Sequence, residues 1–212
     1  MQLQIALDRL SLDDAIRLAT SVQQYADWIE VGTSLIKEFG MESVRRMRQA
    51  LPQARILADS KTNDNARYEF ALCYAAGADA ATVMGAMPDA TIATCVSIAH
   101  EQGKLALIDL LATSAERQRE LLNYREAVFG VHVSKDVQES GTKGTASLVS
   151  RVPDWAAEQK VAIAGGIGLE DIPALGARLP TMTIIVGSAI TGAADPVAAA
   201  RAFAAALEPY RR

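Results

Sequence analysis

The chain has 212 residues, of which 50% are hydrophobic, and a formal net charge of −4 at pH 7. A chain of this length and apolar content buries a full core, and its acidic balance gives no electrostatic reason to expect a nucleic-acid partner. No apolar stretch is long enough to span a bilayer, and no basic leader precedes an apolar run at the N-terminus. We therefore expect a cytoplasmic protein with no membrane partner.

Short apolar segments that suit β-strands alternate with segments of helical period along the whole chain. The strand candidates are 3–8, 28–32, 55–59, 80–84, 105–109, 128–132, 161–164 and 183–186. No linker interrupts them, so the pattern predicts an α/β fold with one domain over 1–212, a (β/α)8 TIM barrel. The alternative is a doubly wound open sheet, which usually has fewer strands and a glycine-rich first turn that this chain lacks.

Four helix candidates have recognisable starts, and two have glycine ends. The starts fall at Ser11, Pro88, Thr113 and Gly168, and the ends fall at Gly77 and Gly103. These signals support the alternation of strands with helices.

The segment from Asp59 to Asp64 places two carboxylates and an ammonium at the polar end of an apolar segment. Side chains alternate along a strand, which predicts Asp59 and Lys61 on one face, about 7 Å apart, and Asp64 in the following turn. That face would present a carboxylate able to hold a metal and a cation able to neutralise a developing oxyanion. A solvated turn with a surface ion pair is the alternative interpretation.

Catalytic groups of a (β/α)8 barrel gather at the C-terminal ends of its strands, and ionisable residues lie at five of the predicted ends. These residues are Asp8, Glu30, Asp59, Asp109 and His132. Each is an even number of residues from an apolar or small neighbour, which predicts that its side chain points into the barrel. Any one of them could instead cap the next helix or form a structural hydrogen bond in the core. Burying all five at one end of a barrel without a function would be costly.

Two glycine turns follow the last two predicted strands. Gly165 and Gly166 come after strand seven, and Gly187 and Ser188 come after strand eight, each ahead of a helix candidate. Glycine permits close approach of a ligand, and the backbone N–H groups of a helix start favour an anion. Because these two loops commonly bind phosphate in this barrel, we expect a phosphate site here, with tight strand-to-helix turns as the alternative.

Several segments of the chain together resemble the 3-hexulose-6-phosphate synthase family, and the resemblance covers nearly the whole chain. The family belongs to the orotidine monophosphate decarboxylase superfamily, with 3-keto-L-gulonate-6-phosphate decarboxylase as a close relative. Its signature is the D-x-K-x-x-D of strand three. The matching segments are 3–8, 29–33, 58–64, 77–79, 162–167 and 186–196.

The resemblance implies a role for most of the candidate residues. Glu30 and Asp59 would hold Mg²⁺, with Mn²⁺ as a second possibility, and Lys61 would steady an ene-diolate. His132 would handle protons. Asp64 would reach the active site of a second subunit, so the resemblance also implies a homodimer with sites at the interface.

A few positions distinguish the two related activities. The segments 82–85 and 108–110, together with Ala164 and Ser188, resemble the synthase. The segment 132–136 departs from it, because Lys135 stands where the decarboxylase has a basic residue, and the pair at 65–66 replaces the usual Ala-Gly of both. We expect Lys135 to contact the substrate and tune substrate choice, although a solvated loop lysine is equally consistent with the sequence.

The family chemistry predicts an aldehyde-lyase that condenses ribulose 5-phosphate with formaldehyde to 3-hexulose 6-phosphate, and the reverse cleavage. Three alternatives stay open. The first is the keto-gulonate decarboxylase reaction, and the second is an isomerase or epimerase that uses the same ene-diolate. The third is a non-catalytic sugar-phosphate sensor, which would not require Glu30, Asp59 and Lys61 together.

Overall fold

Eight parallel strands close into a barrel in chain order in the computed structural model, which describes residues 1–132, 134, 136, 148–179 and 181–211. The strands are β1 (Gln2–Leu7), β2 (Trp28–Val31), β3 (Ile56–Thr62), β4 (Ala80–Met84), β5 (Leu105–Asp109), β6 (Val128–His132), β7 (Lys160–Ala164) and β8 (Thr183–Val186). The last strand pairs with the first, with Gln4 opposite Ile185. The predicted (β/α)8 barrel is therefore confirmed, and the open sheet is excluded.

Helices follow the strands on the outside of the barrel in the described part of the chain. The α-helices are α1 (Leu12–Val22), α2 (Thr33–Phe39), α3 (Glu42–Ala50), α4 (Ala66–Ala75), α5 (Asp89–Glu101), α6 (Ala115–Leu121), α7 (Ile172–Arg178), α8 (Ser188–Thr191) and α9 (Pro196–Leu207). Short 3₁₀ helices span Gln23–Tyr25, Leu148–Arg151, Asp154–Glu158, Leu169–Asp171 and Glu208–Tyr210. None of these described helices combines the length and apolar character needed to cross a membrane.

The predicted helix ends are largely confirmed. The Ser11 hydroxyl accepts a hydrogen bond from the Asp14 N–H and so caps α1. Gly77 and Gly103, beyond the ends of α4 and α5, have φ values of 104° and 63°, which glycine adopts without strain. One start was wrong by a residue, because the cap of α6 is Ser114 and not Thr113.

The core has two parts, one between the barrel and its helices and a smaller one that fills the barrel. The smaller part consists of Trp28, Leu57, Ala80, Leu107 and Ala162. Trp28, Leu57 and Leu107 each lie two residues before a predicted site residue on the same strand. Their burial inside the barrel is what that spacing predicted. On β6, a Cβ at Gly130 would come within 2.7 Å of Leu107 Cδ2, so glycine there makes room for that leucine. This packing confirms the inward faces of these strands.

β3 departs from a regular strand at Asp59, Ser60 and Lys61, two of which were predicted to form the site. Ala58 pairs with Ala81 of β4, but the next matched pair is Thr62 with Val83. Three residues of β3 therefore face a single residue of β4, and Lys61 takes a φ of 46°. We call Asp59, Ser60 and Lys61 the β3 bulge. The prediction that β3 ends at Asp59 was wrong, because the strand continues through the bulge to Thr62. The prediction that Asp59 and Lys61 share one face is confirmed, since Lys61 Nζ lies 3.1 Å from Asp59 Oδ2.

Candidate active site

Lys61 lies between two buried carboxylates at the C-terminal end of the barrel. Its Nζ is 3.1 Å from Asp59 Oδ2 and 2.8 Å from Asp109 Oδ2. Burial alone would lower the pKa of Lys61, but the charges of the two carboxylates outweigh burial and raise its pKa above the ordinary value. The ammonium is therefore charged at every pH near neutrality.

Asp109 joins this ammonium to the imidazole of His132. Its Oδ1 lies 2.8 Å from His132 Nε2 and also accepts the Leu111 N–H at 2.9 Å. Burial alone would raise the pKa of Asp109, but the hydrogen bond to His132 and the charge of Lys61 outweigh it and hold the pKa at about 2. Asp109 is thus a fixed anion shared by the two cationic or proton-carrying groups of the site.

Glu30 is buried on β2, where Gln4 Nε2 donates a hydrogen bond to its Oε2. Burial, and then the nearby charge of Asp59, raise the pKa of Glu30 to about 8, and the charge of Asp8 adds to the effect. Lys61 acts in the opposite direction but does not offset them. Burial and the neighbouring carboxylates thus disfavour a charge on Glu30.

Asp8 follows β1 at the rim of the barrel and is exposed. Its Oδ1 accepts hydrogen bonds from the backbone N–H of Ser34 at 3.0 Å and from the Ser34 hydroxyl at 2.6 Å, so it ties β1 to the first turn of α2. A Cβ at Gly32 would lie 2.3 Å from Asp8 Oδ2, so glycine there leaves room for the carboxylate. The capping contact is thus present, and a catalytic role for Asp8 stays a prediction.

Two threonines fix the Asp59 carboxylate, and neither was predicted to take part in the site. Thr33 Oγ1 donates to Asp59 Oδ2 at 2.6 Å, and Thr82 Oγ1 donates to Asp59 Oδ1 at 2.9 Å. The available signal was the single polar residue inside the apolar strand β4, since Thr82 is flanked by alanine and valine. That signal indicates a polar partner but does not say which one.

The predicted phosphate loops lie at the same end of the barrel, after the paired strands β7 and β8. Gly165 and Gly166 have φ values of 106° and 75°, and a Cβ at Gly166 would meet nothing within 4 Å. Glycine at 166 is thus required by the backbone and not by crowding. Gly187 precedes α8, which begins at Ser188. The structure brings these residues to the expected place, and phosphate binding remains a prediction.

The two remaining predicted site residues are Asp64 and Lys135. Asp64 is exposed after β3 and accepts the backbone N–H of Asn65 at 2.7 Å, immediately before α4. Asn65 has a φ of 53°, a conformation that asparagine tolerates better than most residues. Lys135 falls outside the described residues, so the structure does not place it.

Glu30 and Asp59 were predicted to hold a metal ion. Within the described residues, no group of three or more His, Cys, Asp or Glu side chains is arranged as a metal site. Mg²⁺, however, is commonly bound through one or two carboxylates, with waters and substrate oxygens completing its shell. Glu30 and Asp59 are both buried, on the adjacent strands β2 and β3, and the charge of Asp59 acts on Glu30. The residues present therefore fit a two-carboxylate Mg²⁺ site.

The barrel is closed and parallel, and a lysine, an imidazole and several carboxylates lie at the C-terminal end of its strands. This is the arrangement of (β/α)8-barrel enzymes. Residues 1–203 match the model of the orotidine 5'-phosphate decarboxylase / HUMPS family, and the chain belongs to this family.

Relatives within this family carry two related names. A 3-hexulose-6-phosphate synthase of Staphylococcus aureus (strain bovine RF122 / ET3-1) is 37% identical over 210 residues, which are 98% of this chain and 99% of that protein. The crystal structure of 3-hexulose-6-phosphate synthase from Salmonella typhimurium has a TM-score of 0.90 and 33% identity, with 100% of both chains covered. A 3-keto-L-gulonate-6-phosphate decarboxylase of Vibrio cholerae has a TM-score of 0.87 and 30% identity, with 100% and 99% covered.

Proposed function

We propose that this chain is a carbon–carbon lyase that condenses ribulose 5-phosphate with formaldehyde to 3-hexulose 6-phosphate and catalyses the reverse cleavage. The observation that carries the proposal is the position of Lys61, held charged between Asp59 and Asp109 at the C-terminal end of the barrel. The names of its synthase relatives, at up to 37% identity over nearly the full chain, support the same reaction.

Lys61 supplies the charge that this reaction needs. Removal of a proton from the carbon beside the ketone of ribulose 5-phosphate leaves an ene-diolate, which is too unstable in water to form quickly at neutral pH. An ammonium has three N–H donors, and Asp59 and Asp109 can accept two of them. The third donor is then available for an ene-diolate oxygen, where a preorganised cation stabilises the developing charge.

His132 carries the proton in this proposal. Its Nε2 faces Asp109, an anion that orients the ring and stabilises an imidazolium when one forms. The proton removed from C1 of ribulose 5-phosphate is returned to the formaldehyde oxygen after the new carbon–carbon bond forms. In the reverse direction the same group takes that hydroxyl proton and returns it to carbon.

Glu30 and Asp59 would hold Mg²⁺, with Mn²⁺ as the alternative, because hard cations prefer carboxylate oxygens. When bound, such an ion supplies electrostatic stabilisation of substrate oxygens. The support for this assignment is that both carboxylates are buried at one end of the barrel, on the adjacent strands β2 and β3.

The glycine loops after β7 and β8 would hold the substrate phosphate. The backbone there has left-handed glycines at 165 and 166 and a helix start at Ser188. N–H groups in such loops bind phosphate oxygens without side chains in the way. This contact would place the reactive end of the sugar toward Lys61.

A homodimer would complete the site, with Asp64 contributed to the neighbouring subunit. On α4, directly after Asp64, Tyr68 is 61% exposed and Leu72 is 39% exposed, and the two lie one helical turn apart. Exposed large apolar side chains grouped on one helix face favour burial against another chain. Their position next to Asp64 supports the shared-site arrangement.

The keto-gulonate decarboxylase reaction is the second candidate, because a matched structure at 30% identity carries that name. Purified protein with Mg²⁺ should be assayed in parallel for formaldehyde loss with ribulose 5-phosphate and for CO₂ release from 3-keto-L-gulonate 6-phosphate. We expect kcat/KM for the condensation to exceed that for decarboxylation by about tenfold or more. The opposite preference would overturn the proposal in favour of the decarboxylase. Isomeric or epimeric pentose phosphates as the only product would overturn both, and absence of turnover would favour a sensor.

A further inference from the structure

Thr82 of β4 faces the β3 bulge and contacts each of its three residues. The backbone N–H of Lys61 donates to Thr82 Oγ1 at 2.8 Å, and the hydroxyl of Ser60 donates to the Thr82 carbonyl oxygen at 2.9 Å. Thr82 Oγ1 in turn donates to Asp59 Oδ1 at 2.9 Å. A single residue of the neighbouring strand therefore binds the whole bulge.

The donor and acceptor roles at the Thr82 hydroxyl are fixed by its partners. A backbone N–H only donates, so Thr82 Oγ1 must accept from Lys61 and give its own proton to the Asp59 carboxylate. Thr82 is 3% exposed. The buried hydroxyl therefore fixes the orientation of the Asp59 carboxylate.

The same hydroxyl stabilises an unusual backbone conformation of Lys61. A φ of 46° is in the left-handed region, which a non-glycine residue keeps only where its surroundings impose it. Because the register shifts at the bulge, the N–H of Lys61 bonds to a side chain of β4. In this conformation Lys61 Nζ reaches Asp109 Oδ2 at 2.8 Å.

We propose that Thr82 is a positioning residue of this site. Its hydroxyl orients the Asp59 carboxylate and fixes the main chain of Lys61, so that the ammonium lies between Asp59 and Asp109. The kinetic part of this inference rests on the proposed lyase function, whereas the structural part does not depend on which reaction the site catalyses.

Two variants separate the hydroxyl from the shape of the side chain. Thr82→Val keeps the volume and removes the hydroxyl, and Thr82→Ser keeps the hydroxyl. We expect Thr82→Val to lower kcat for the condensation about 100-fold with a much smaller change in KM, because small displacements of reacting groups cost rates of this order. We expect Thr82→Ser to stay within about threefold of the wild type.

Ser43→Ala is the matched control for lost stability. This substitution also removes a buried hydroxyl. Ser43 lies on α3, outside the active site, and its hydroxyl donates to the Gly40 carbonyl oxygen at 2.6 Å. We expect its kcat to stay at the wild-type value even where its melting temperature falls as much as that of Thr82→Val. A folded Thr82→Val with kcat within about threefold of wild type, or a Thr82→Ser as impaired as Thr82→Val, would overturn the proposal.

Amide hydrogen exchange at Lys61 tests the structural part without any substrate. In the wild type the Lys61 N–H should exchange as slowly as the amides of β4, and in Thr82→Val it should exchange at least about 100-fold faster. Rapid exchange of this amide in the wild-type protein would overturn the proposal even if Thr82→Val does not fold. If the protein shows this exchange pattern but does not condense formaldehyde, the proposed function is refuted. The positioning role of Thr82 is then still supported.

Discussion

Lys61 and Asp109 are 48 residues apart in the chain, yet Nζ of the lysine lies 2.8 Å from Oδ2 of the aspartate. Asp59 contacts the same ammonium from β3, and His132 contacts the other oxygen of Asp109. One partly buried cation is thereby joined to the imidazole of His132 through a single carboxylate.

Removal of the Lys61 ammonium should abolish most of the activity. We expect Lys61→Ala to lower kcat/KM for the condensation by about 1,000-fold, because preorganised charge at a developing oxyanion contributes rate factors of this size. The measurement is the initial rate of formaldehyde loss. Lys104→Ala is the matched control, since Lys104 pairs with Asp79 at 2.8 Å at the opposite end of the barrel. Equal losses in the two variants would contradict the role of Lys61.

The metal site predicted at Glu30 should be detectable as a change in melting temperature. Glu30→Gln removes a buried carboxylate that Asp59 repels, so in chelator at pH 8 its melting temperature should equal or exceed that of the wild type. Saturating Mg²⁺ should raise the melting temperature of the wild type and leave that of Glu30→Gln unchanged. Glu42→Gln, an exposed change on α3, should respond to Mg²⁺ as the wild type does. A Mg²⁺ response retained in Glu30→Gln would place the ion elsewhere.

Most of the fold was predictable because each strand is a short apolar run between recognisable turns. All eight predicted strands are present, and β4, β5, β6 and β8 match their predicted bounds. The inward faces were also predictable from the two-residue period of a strand.

The β3 bulge was not predictable, because nothing in the order of Asp59, Ser60 and Lys61 shows that three residues would face one of β4. The roles of Thr33 and Thr82 depend on contacts that α2 and β4 make with β3, between residues that are distant in sequence. The raised pKa of Glu30 likewise required knowledge of its burial beside Asp59.

Asp79 should make stability depend on pH through a network at the N-terminal end of the barrel. Burial alone would raise its pKa, but hydrogen bonds from Lys104 Nζ and the Ile56 N–H, with the charge of Arg48, lower it. An acid whose pKa is lowered by folding stabilises above its unfolded pKa, near 4, and that contribution is lost as pH falls through the folded pKa.

Asp79→Asn should therefore lower the free energy of unfolding by about 1 kcal/mol at pH 7, a value that allows for solvent screening. The difference from the wild type should shrink below pH 4. Urea unfolding at pH 7 and pH 3 measures both values. Asp154→Asn, which changes an exposed carboxylate, is the control. A difference that is the same at both pH values would show that charge at Asp79 does not stabilise the fold.

Asp64 should serve the active site of a partner subunit. Asp64→Ala and Glu30→Ala should each be inactive alone, and mixing them should restore activity, because a heterodimer contains one site free of both changes. The restored fraction should approach about one quarter of wild-type activity at equal concentrations, since half of the dimers are mixed and each has one intact site. No recovery, with subunit exchange verified by mass spectrometry, would mean that each site is built from one chain.

Leu72→Arg tests the assembly itself. A charge at this exposed apolar position of α4 should shift the protein toward monomer in analytical ultracentrifugation. Lys37→Ala on α2 should leave the sedimentation of the protein unchanged. An unchanged sedimentation coefficient for Leu72→Arg would exclude this face from the interface.

Carbon-13 NMR of the product tests the central claim most directly. Wild-type protein with ribulose 5-phosphate, ¹³C-formaldehyde and Mg²⁺ should produce a hexulose phosphate. The label should appear in its hydroxymethyl carbon, which the new carbon–carbon bond joins to the former C1 of ribulose 5-phosphate. The same mixture with Lys61→Ala, or with wild type in excess chelator, should leave the label in formaldehyde. Label that stays in formaldehyde with the wild-type protein, under conditions where a known synthase incorporates it, would contradict the assignment of this site to carbon–carbon bond formation.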